Sequence, residues 1–333
     1  MTSDQLHCHL TAYLAHRSAR PSVPAPVPLT ALKGGWASSL YAFTQQATEL
    51  NGAAARTLVL KLYVPTRQGR EHATREWHAL RQLRGADYPV PQGILFEPDA
   101  RPLGSPFIVM DYVPATSLWH VFEVADAGRQ AALTQAFVTQ LLALQALDPR
   151  ILQPTASSRD PYSYLDHELA LLRRDSEDSP HVMLPRVVDW LEQGKESVPC
   201  ERPAILHRDY HPWNVLVDAD EQLWVIDWDW QIGDPRFDLA WTCMLMERSG
   251  FHSFSSDVED EYERLGGRGA EGLGYFKVLT TVRWLLNVLP PEDPDVPVDD
   301  AARAEFRAFL IDPVRRAQTF LAERTGVDVR VEL

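Results

Sequence analysis

The chain of 333 residues and 37.7 kDa is long for a single hydrophobic core, and its length favours two lobes or domains with a cleft between them. A composition of 45% hydrophobic and 23% charged residues is that of a folded chain and excludes a disordered one. The net charge of −14 is uneven, with 11 Lys+Arg against 8 Asp+Glu in residues 1–111 and 21 against 38 in residues 112–333, which disfavours nucleic acid as the main partner.

The N-terminal MTSDQLHCHL has an acid and no basic stretch ahead of an apolar run, so no secretory leader is expected. About Asp4 to Arg17 reads as a short amphipathic helix, and ARPSVPAPVP as an extended connector. LKGGWASSLYAFT and ARTLVLKLYV, separated by a turn at Asn51-Gly52, carry the β-branched and aromatic content of paired strands. GREHATREWHALRQLRG reads as a helix with Ala73, Trp77, Leu80 and Arg84 along one side and Gly85 as its stop. GILFEP and SPFIVMDYV look like a second strand pair. From Ser117 the pattern turns helical: 117–147, about 160–174, 181–197, 235–248, 257–265, 273–289 and 301–325. PPEDPDVPVDD is a solvated acidic loop. The expected architecture is α+β, with a small strand-rich lobe over residues 1–111 carrying one inserted helix, and a larger, mainly helical lobe over 112–333.

The least polar segment, Ala131 to Leu147, is broken by Gln135, Thr139, Gln140 and Gln145, so no membrane span is expected. Three cysteines, Cys8, Cys200 and Cys243, are too few and too scattered for a disulfide framework or a zinc site, and fit a reducing cytoplasm.

Chemistry concentrates in HRDYHPWNVLVDADEQLWVIDWDW, residues 207–230. Two short apolar strands flank a polar turn, and an antiparallel hairpin would bring Asn214 and Asp227 to one end, with Asp209 in the loop before them. A hard metal takes oxygen ligands, while an attacking hydroxyl needs a proton acceptor. Asn214 and Asp227 suit the first task and Asp209 the second. His207 and His211 read as packed, hydrogen-bonded histidines, and Trp224, Trp228 and Trp230 as core aromatics.

His207-Arg208-Asp209, Asn214 five positions on, and Asp227 resemble the catalytic loop and metal aspartate of the protein-kinase-like fold. HRDYHPWNVLV followed by VIDWDWQIGDPRFDLAW is similar, more narrowly, to the aminoglycoside phosphotransferase and choline kinase family. With three asparagines in the chain, an accidental match to the first motif is expected on the order of once in a hundred chains. Asp227, Asp234 and Asp238 at the family's spacing strengthen the likeness.

The resemblance implies a bilobal protein-kinase-like fold, ATP (or GTP) and Mg2+ as cofactors, and transfer of a phosphoryl group to a small-molecule hydroxyl. It implies that Asp209 is the catalytic base, that Asn214 and Asp227 hold the metal, and that Asp238 anchors the catalytic-loop backbone, with His207 as structural support. Lys61, in an apolar strand and so in need of a partner, would reach the α- and β-phosphates and pair with Glu76, which shares a helical stripe with Leu80 and Leu83. Val59 would cover the adenine, and the main chain of Asp111, Tyr112 and Val113 would bond its edge. The expected glycine-rich phosphate loop is absent; Lys33-Gly34-Gly35-Trp36-Ala37-Ser38-Ser39 stands in its place, with Ser38 and Ser39 as hydroxyl donors.

Arg208 stands where many antibiotic phosphotransferases have glycine, and raises the question of a protein acceptor. Six residues between Asp227 and Asp234 leave no room for a long activation segment, which favours a small molecule. The insertion over 155–200 would be a lid, and Asp229, Glu247 and the run Asp257 to Glu263 could hold an amine, so an aminoglycoside or another cationic alcohol fits, as do sugars, choline-like amines and amino alcohols. Two other classes stand beside this reading: a non-catalytic nucleotide-binding pseudokinase, suggested by the irregular glycine loop, and a metal-dependent hydrolase using the His/Asp cluster. Oligomeric state is not legible.

Overall fold

The computed structural model describes residues 3–17, 29–32, 38–45, 55–156, 160–179, 183–267, 271–288 and 300–331, with side chains in the last stretch from Glu305 onward. The connector ARPSVPAPVP, the loop positions Lys33 to Ala37, the Asn51-Gly52 turn and nearly all of the acidic loop fall outside the described residues.

In chain order the elements are α1 (Ser3–Arg17), β1 (Thr30–Ala31), β2 (Ser38–Gln45), β3 (Arg56–Tyr63), α2 (Arg67–Gly85), β4 (Gly93–Glu97), β5 (Phe107–Asp111), β6 (Ala115–Ser117), α3 (Leu118–Glu123) and α4 (Ala127–Ala146). They continue with α5 (Ser163–Glu177), α6 (Leu184–Gly194), β7 (Ala204–Leu206), β8 (Val215–Asp218), β9 (Leu223–Val225), β10 (Gln231–Gly233), α7 (Arg236–Arg248), α8 (His252–Arg264), α9 (Leu273–Val288) and α10 (Asp300–Thr325). The chain forms two compact units, Met1–Thr116 with Leu216–Trp230, and Ser117–Val215 with Gln231–Leu333. The boundary expected near residue 111 thus lies five residues short of this division, which also assigns the later segment 216–230 to the first unit.

In the first unit a five-stranded sheet runs in the order β1-β2-β3-β5-β4, and each neighbouring pair is antiparallel. β3 lies at its centre because RTLVLKLY can be buried on both faces. Leu58 and Leu60 join Leu6 and Leu10 of α1, Phe43, Phe107 and Val109 in one apolar cluster. A fully buried leucine of this kind contributes roughly 1.5–3 kcal/mol. The alternate residues Lys61 and Tyr63 both reach Glu76 of α2. β6, β8 and β9 form a separate three-stranded sheet.

α2 starts where the Thr66 side chain accepts the Gly69 N–H, which satisfies one of the helix's first amides. Its buried stripe is Gly69, Ala73, Glu76, Ala79, Leu80 and Leu83. Arg84, expected on that side, is exposed, and Trp77 is half-buried. A long guanidinium at the last turn is hydrated more cheaply than it is buried.

In the second unit α7 is buried nearly all round, through Phe237, Leu239, Ala240, Trp241, Cys243, Met244 and Met246, so it forms the axis of the unit. α10 presents Leu310, Val314, Ala317 and Leu321, an i, i+4, i+7, i+11 stripe. β7 and β10 pair antiparallel, from Gln231 opposite Leu206 to Gly233 opposite Ala204.

Several expected boundaries shift. The helix expected over 117–147 is broken into α3 and α4, because Asp126 caps a new helix by accepting the Arg129 N–H. α8 starts at His252 and not at residue 257, while α5 and α6 each begin three residues later than their sequence pattern suggests. The strand expected from Leu32 is described only over Ser38–Gln45.

Candidate active site

In the first unit, Lys61 is 3% exposed and Glu76 1% exposed, and neither could stay charged there alone. They satisfy each other: Lys61 Nζ donates to Glu76 Oε2 at 2.7 Å and to Asp227 Oδ1 at 2.6 Å. Burial pushes the Lys61 ammonium down, but the Asp227 and Glu76 carboxylates outweigh it and hold the group above its ordinary value. The Tyr63 hydroxyl also donates to Glu76 Oε2, at 2.6 Å, and burial pushes that phenol well above its ordinary range.

Asp227 follows β9 by two residues and has φ of +66°, a conformation that disfavours side chains bearing a Cβ. One ring nitrogen of His72 and one oxygen each of Glu76 and Asp227 lie within 4.8 Å of one another. Lys61 engages both of those carboxylates, through Glu76 Oε2 and Asp227 Oδ1.

Ser38 and Ser39 lie in β2 opposite Tyr63 and Leu62, and Val59 lies in β3 opposite Ala42 and Met110. In the main chain expected to meet an adenine edge, the Asp111 N–H donates to the Gln92 carbonyl at 3.0 Å and the Tyr112 N–H to the Thr57 carbonyl at 3.3 Å. The Asp111 carboxylate pairs with Arg56.

In the second unit the loop after β7 is held residue by residue. Asp238 is fully buried and accepts His207 N–H at 2.6 Å and Arg208 N–H at 2.9 Å. Burial raises its carboxyl to about 6, while the two amides pull the other way. Arg208 has φ of +77°. Its guanidinium donates to buried Glu168 of α5 at 2.8 Å and lies over the Phe237 ring, 4.4 Å from the centroid. Arg283 Nη1 reaches the same carboxylate at 2.6 Å. Arg208 is therefore part of a buried network and does not present its charge to an outside phosphate. His207 is fully buried, and its Nδ1 accepts the Asp209 N–H at 3.2 Å.

The Asp209 side chain is 38% exposed. Its Oδ1 accepts the Trp241 indole N–H at 2.8 Å and lies 3.2 Å from His211 Nε2, and its Oδ2 accepts the Asn214 amide at 3.0 Å. The same amide nitrogen donates to the Asp209 carbonyl at 3.1 Å. Asn214 immediately precedes β8. Asp234 binds Arg236 through two of its guanidinium nitrogens, at 2.9 and 2.6 Å.

Four of the acids expected to await an amine are engaged with cations of this chain, Asp229 with Arg75, Glu247 and Glu259 with Lys277, and Glu261 with Arg264, while Asp257, Asp260 and Glu263 of the same run are exposed. Sequence reasoning passed over Tyr63, Glu168, Trp241 and Thr242. Two signals were available: Tyr63 lies two residues beyond Lys61 on the same strand face, and Trp241 and Thr242 stand at i+3 and i+4 from Asp238.

A family model described as the phosphotransferase enzyme family matches residues 28–274. The chain is 27% identical over 197 residues to acyl-CoA dehydrogenase family member 11 of Gallus gallus, covering 57% of this chain and 25% of that protein. It is 25% identical over 181 residues to family member 10 of Mus musculus, covering 51% of this chain and 16% of that one. Its match thus spans a quarter or less of the curated relatives' length.

Among solved structures, aminoglycoside phosphotransferase APH(4)-Ia with ADP and hygromycin B superposes with a TM-score of 0.62 at 16% identity, covering 95% of this chain and 98% of that one. The GDP complex of an aminoglycoside 2'-phosphotransferase gives 0.60 at 19% identity, with 96% and 97% covered. At such identity the likeness speaks for the fold. The family match extends over most of the chain, and with the kinase-like fold it establishes that the chain belongs to the phosphotransferase enzyme family.

Proposed function

We propose that this phosphotransferase moves the γ-phosphoryl group of ATP or GTP to a hydroxyl of a small molecule, with Asp209 as proton acceptor. The observation that carries the reading is the Asp209 carboxylate itself: partly exposed, on a loop whose preceding amides are gripped by Asp238, and oriented by three neighbouring side chains. The acceptor oxygen bonds to the γ-phosphorus as its proton passes to Asp209. The bond to the β–γ bridging oxygen breaks, and that electron pair leaves with the nucleoside diphosphate. Lys61, steadied by Glu76, offers a fixed positive charge to the phosphates.

Asp227, in the first unit, and Asn214, in the second, each would offer an oxygen donor of the kind that Mg2+ prefers. The Asn214 amide nitrogen is turned to Asp209, so its oxygen is the end left for a cation. When bound, Mg2+ would neutralise charge developing on the phosphate oxygens. ATP against GTP stays open to experiment, since solved relatives of this fold hold ADP in one case and GDP in another. Aminoglycosides, like the hygromycin B held by a solved relative of this fold, are candidate acceptors, and so are other small alcohols. Cys200 and Cys243 are buried free thiols and Cys8 an exposed one, which suits a reducing cytoplasm. Among the described residues no helix is long and apolar enough to cross a membrane.

Nucleotide consumption across a panel of alcohols, aminoglycosides included, tests the reading. Asp209→Ala should keep the thermal shift given by Mg-nucleotide and lose transfer by on the order of a thousandfold. Wild-type turnover in that variant would overturn it.

A further inference from the structure

The loop residues 207–210 are gripped in order by one face of α7. Asp238 accepts the amides of His207 and Arg208, Trp241 donates to the carboxylate of Asp209, and Thr242 Oγ1 donates to the carbonyl of Tyr210 at 2.7 Å. Positions i, i+3 and i+4 of a helix share a face, so three side chains from one face set four consecutive loop residues. Three of these four contacts fix backbone, but the one from Trp241 fixes a side chain. That indole is 6% exposed and lies parallel to the Phe237 ring, at 11° and 6.1 Å between centroids, so it has little freedom to follow a carboxylate that turns.

A carboxylate has two oxygens and about four lone-pair directions. Oδ1 of Asp209 faces both the Trp241 N–H and the His211 ring nitrogen, while Oδ2 takes only the Asn214 amide. The oxygen with a direction open to an incoming hydroxyl is Oδ2. We propose that Trp241 is a positioning residue for the phosphoryl transfer: its indole N–H holds Asp209 Oδ1 and thereby turns Oδ2 to receive the acceptor's proton. This rests on Asp209 being the proton acceptor. The contact is made by an N–H at the edge of a rigid ring; phenylalanine keeps an aromatic ring there, smaller than the indole and without its hydrogen bond, so the experiment needs a second tryptophan as control.

The experiment compares Trp241→Phe with Trp224→Phe, which removes a similar 2.8 Å indole bond, to Asp218 in the β8–β9 turn. Misplacing a reacting group by a fraction of its length costs up to about a hundredfold, so Trp241→Phe should lower kcat roughly ten- to a hundredfold with KM for the Mg-nucleotide within twofold. Trp224→Phe should leave kcat within about twofold of wild type. In 15N spectra the indole resonance that disappears in Trp241→Phe should move in Asp209→Asn, a readout that needs no acceptor. Wild-type kcat in Trp241→Phe, an equal loss in Trp224→Phe, or an indole resonance unmoved by Asp209→Asn each overturns the proposal. Full turnover in Asp209→Ala would instead overturn the assignment of Asp209 on which it stands.

Discussion

Arg208 and Asp227 are held at φ of +77° and +66°, where a side chain costs about 1 kcal/mol or more and glycine costs nothing. For Arg208 the conformation is sustained by its amide bond to Asp238 and by its guanidinium bond to Glu168, so a residue that looks like a recruiter of phosphate is instead an internal strut. Asp238 is the keystone of this arrangement. Asp238→Ala would strand two buried amides, at about 1–3 kcal/mol each, and chemical denaturation should show a loss of roughly 2–6 kcal/mol.

Because burial raises the Asp238 carboxyl to about 6, the folded protein binds its proton more tightly than the unfolded chain does. Stability assigned to this group is therefore greatest near pH 4 and falls as pH rises towards 6. Against Asp238→Asn, which cannot titrate, wild type should lose about 3 kcal/mol across that window, measured by urea midpoints. A flat difference between the two would count against a buried, titrating Asp238.

At the scale of elements, α2 and β3 together hold the Lys61–Glu76 pair, so whatever sets the start of α2 also sets Glu76 two turns later. The start is set by the Thr66 cap and by Gly69, where an added Cβ would collide with the main-chain carbonyl of Val64. Loss of the cap in Thr66→Ala should cost about 1 kcal/mol. Gly69→Ala should cost more, about 1–3 kcal/mol, because backbone must move to admit the methyl group. Thermal unfolding of the two variants ranks them, and equal stability would show that α2 can shift freely. α7 plays the corresponding part in the second unit, with one face in the core and another on the loop 207–210.

At the scale of the molecule, segment 216–230 returns to the first unit and binds it through side chain and main chain alike. Lys61 meets Asp227, Arg75 meets Asp229, the Trp230 indole donates to the Arg75 carbonyl at 2.9 Å, and Val225 N–H donates to the Pro89 carbonyl at 2.9 Å. Fully buried Trp228 packs edge-on against Tyr88. Residues 1–116 expressed alone should then lack a large part of their core and fail to fold cooperatively, while a fusion of 1–116 to 213–230 should regain a sigmoidal unfolding transition by circular dichroism. A cooperative transition in the shorter fragment would refute this.

The family motif, the β-rich and helical halves and the residue types of the candidate site were legible in the amino-acid sequence, because strand alternation, helix periodicity and the spacing of His207, Asp209, Asn214 and Asp227 are local properties. The α4 start also had a local cue in Asp126, a side chain that can cap, although apolar periodicity alone ran straight through it. What required tertiary structure was the partner of each charge. Arg208 finds Glu168 40 residues away, Trp241 finds Asp209 at a separation of 32, and Lys61 finds Asp227 at 166. Each of those three pairs involves a buried residue, where a charge or a donor is admitted only with its partner, and which partner it meets depends on how distant elements pack rather than on any local pattern.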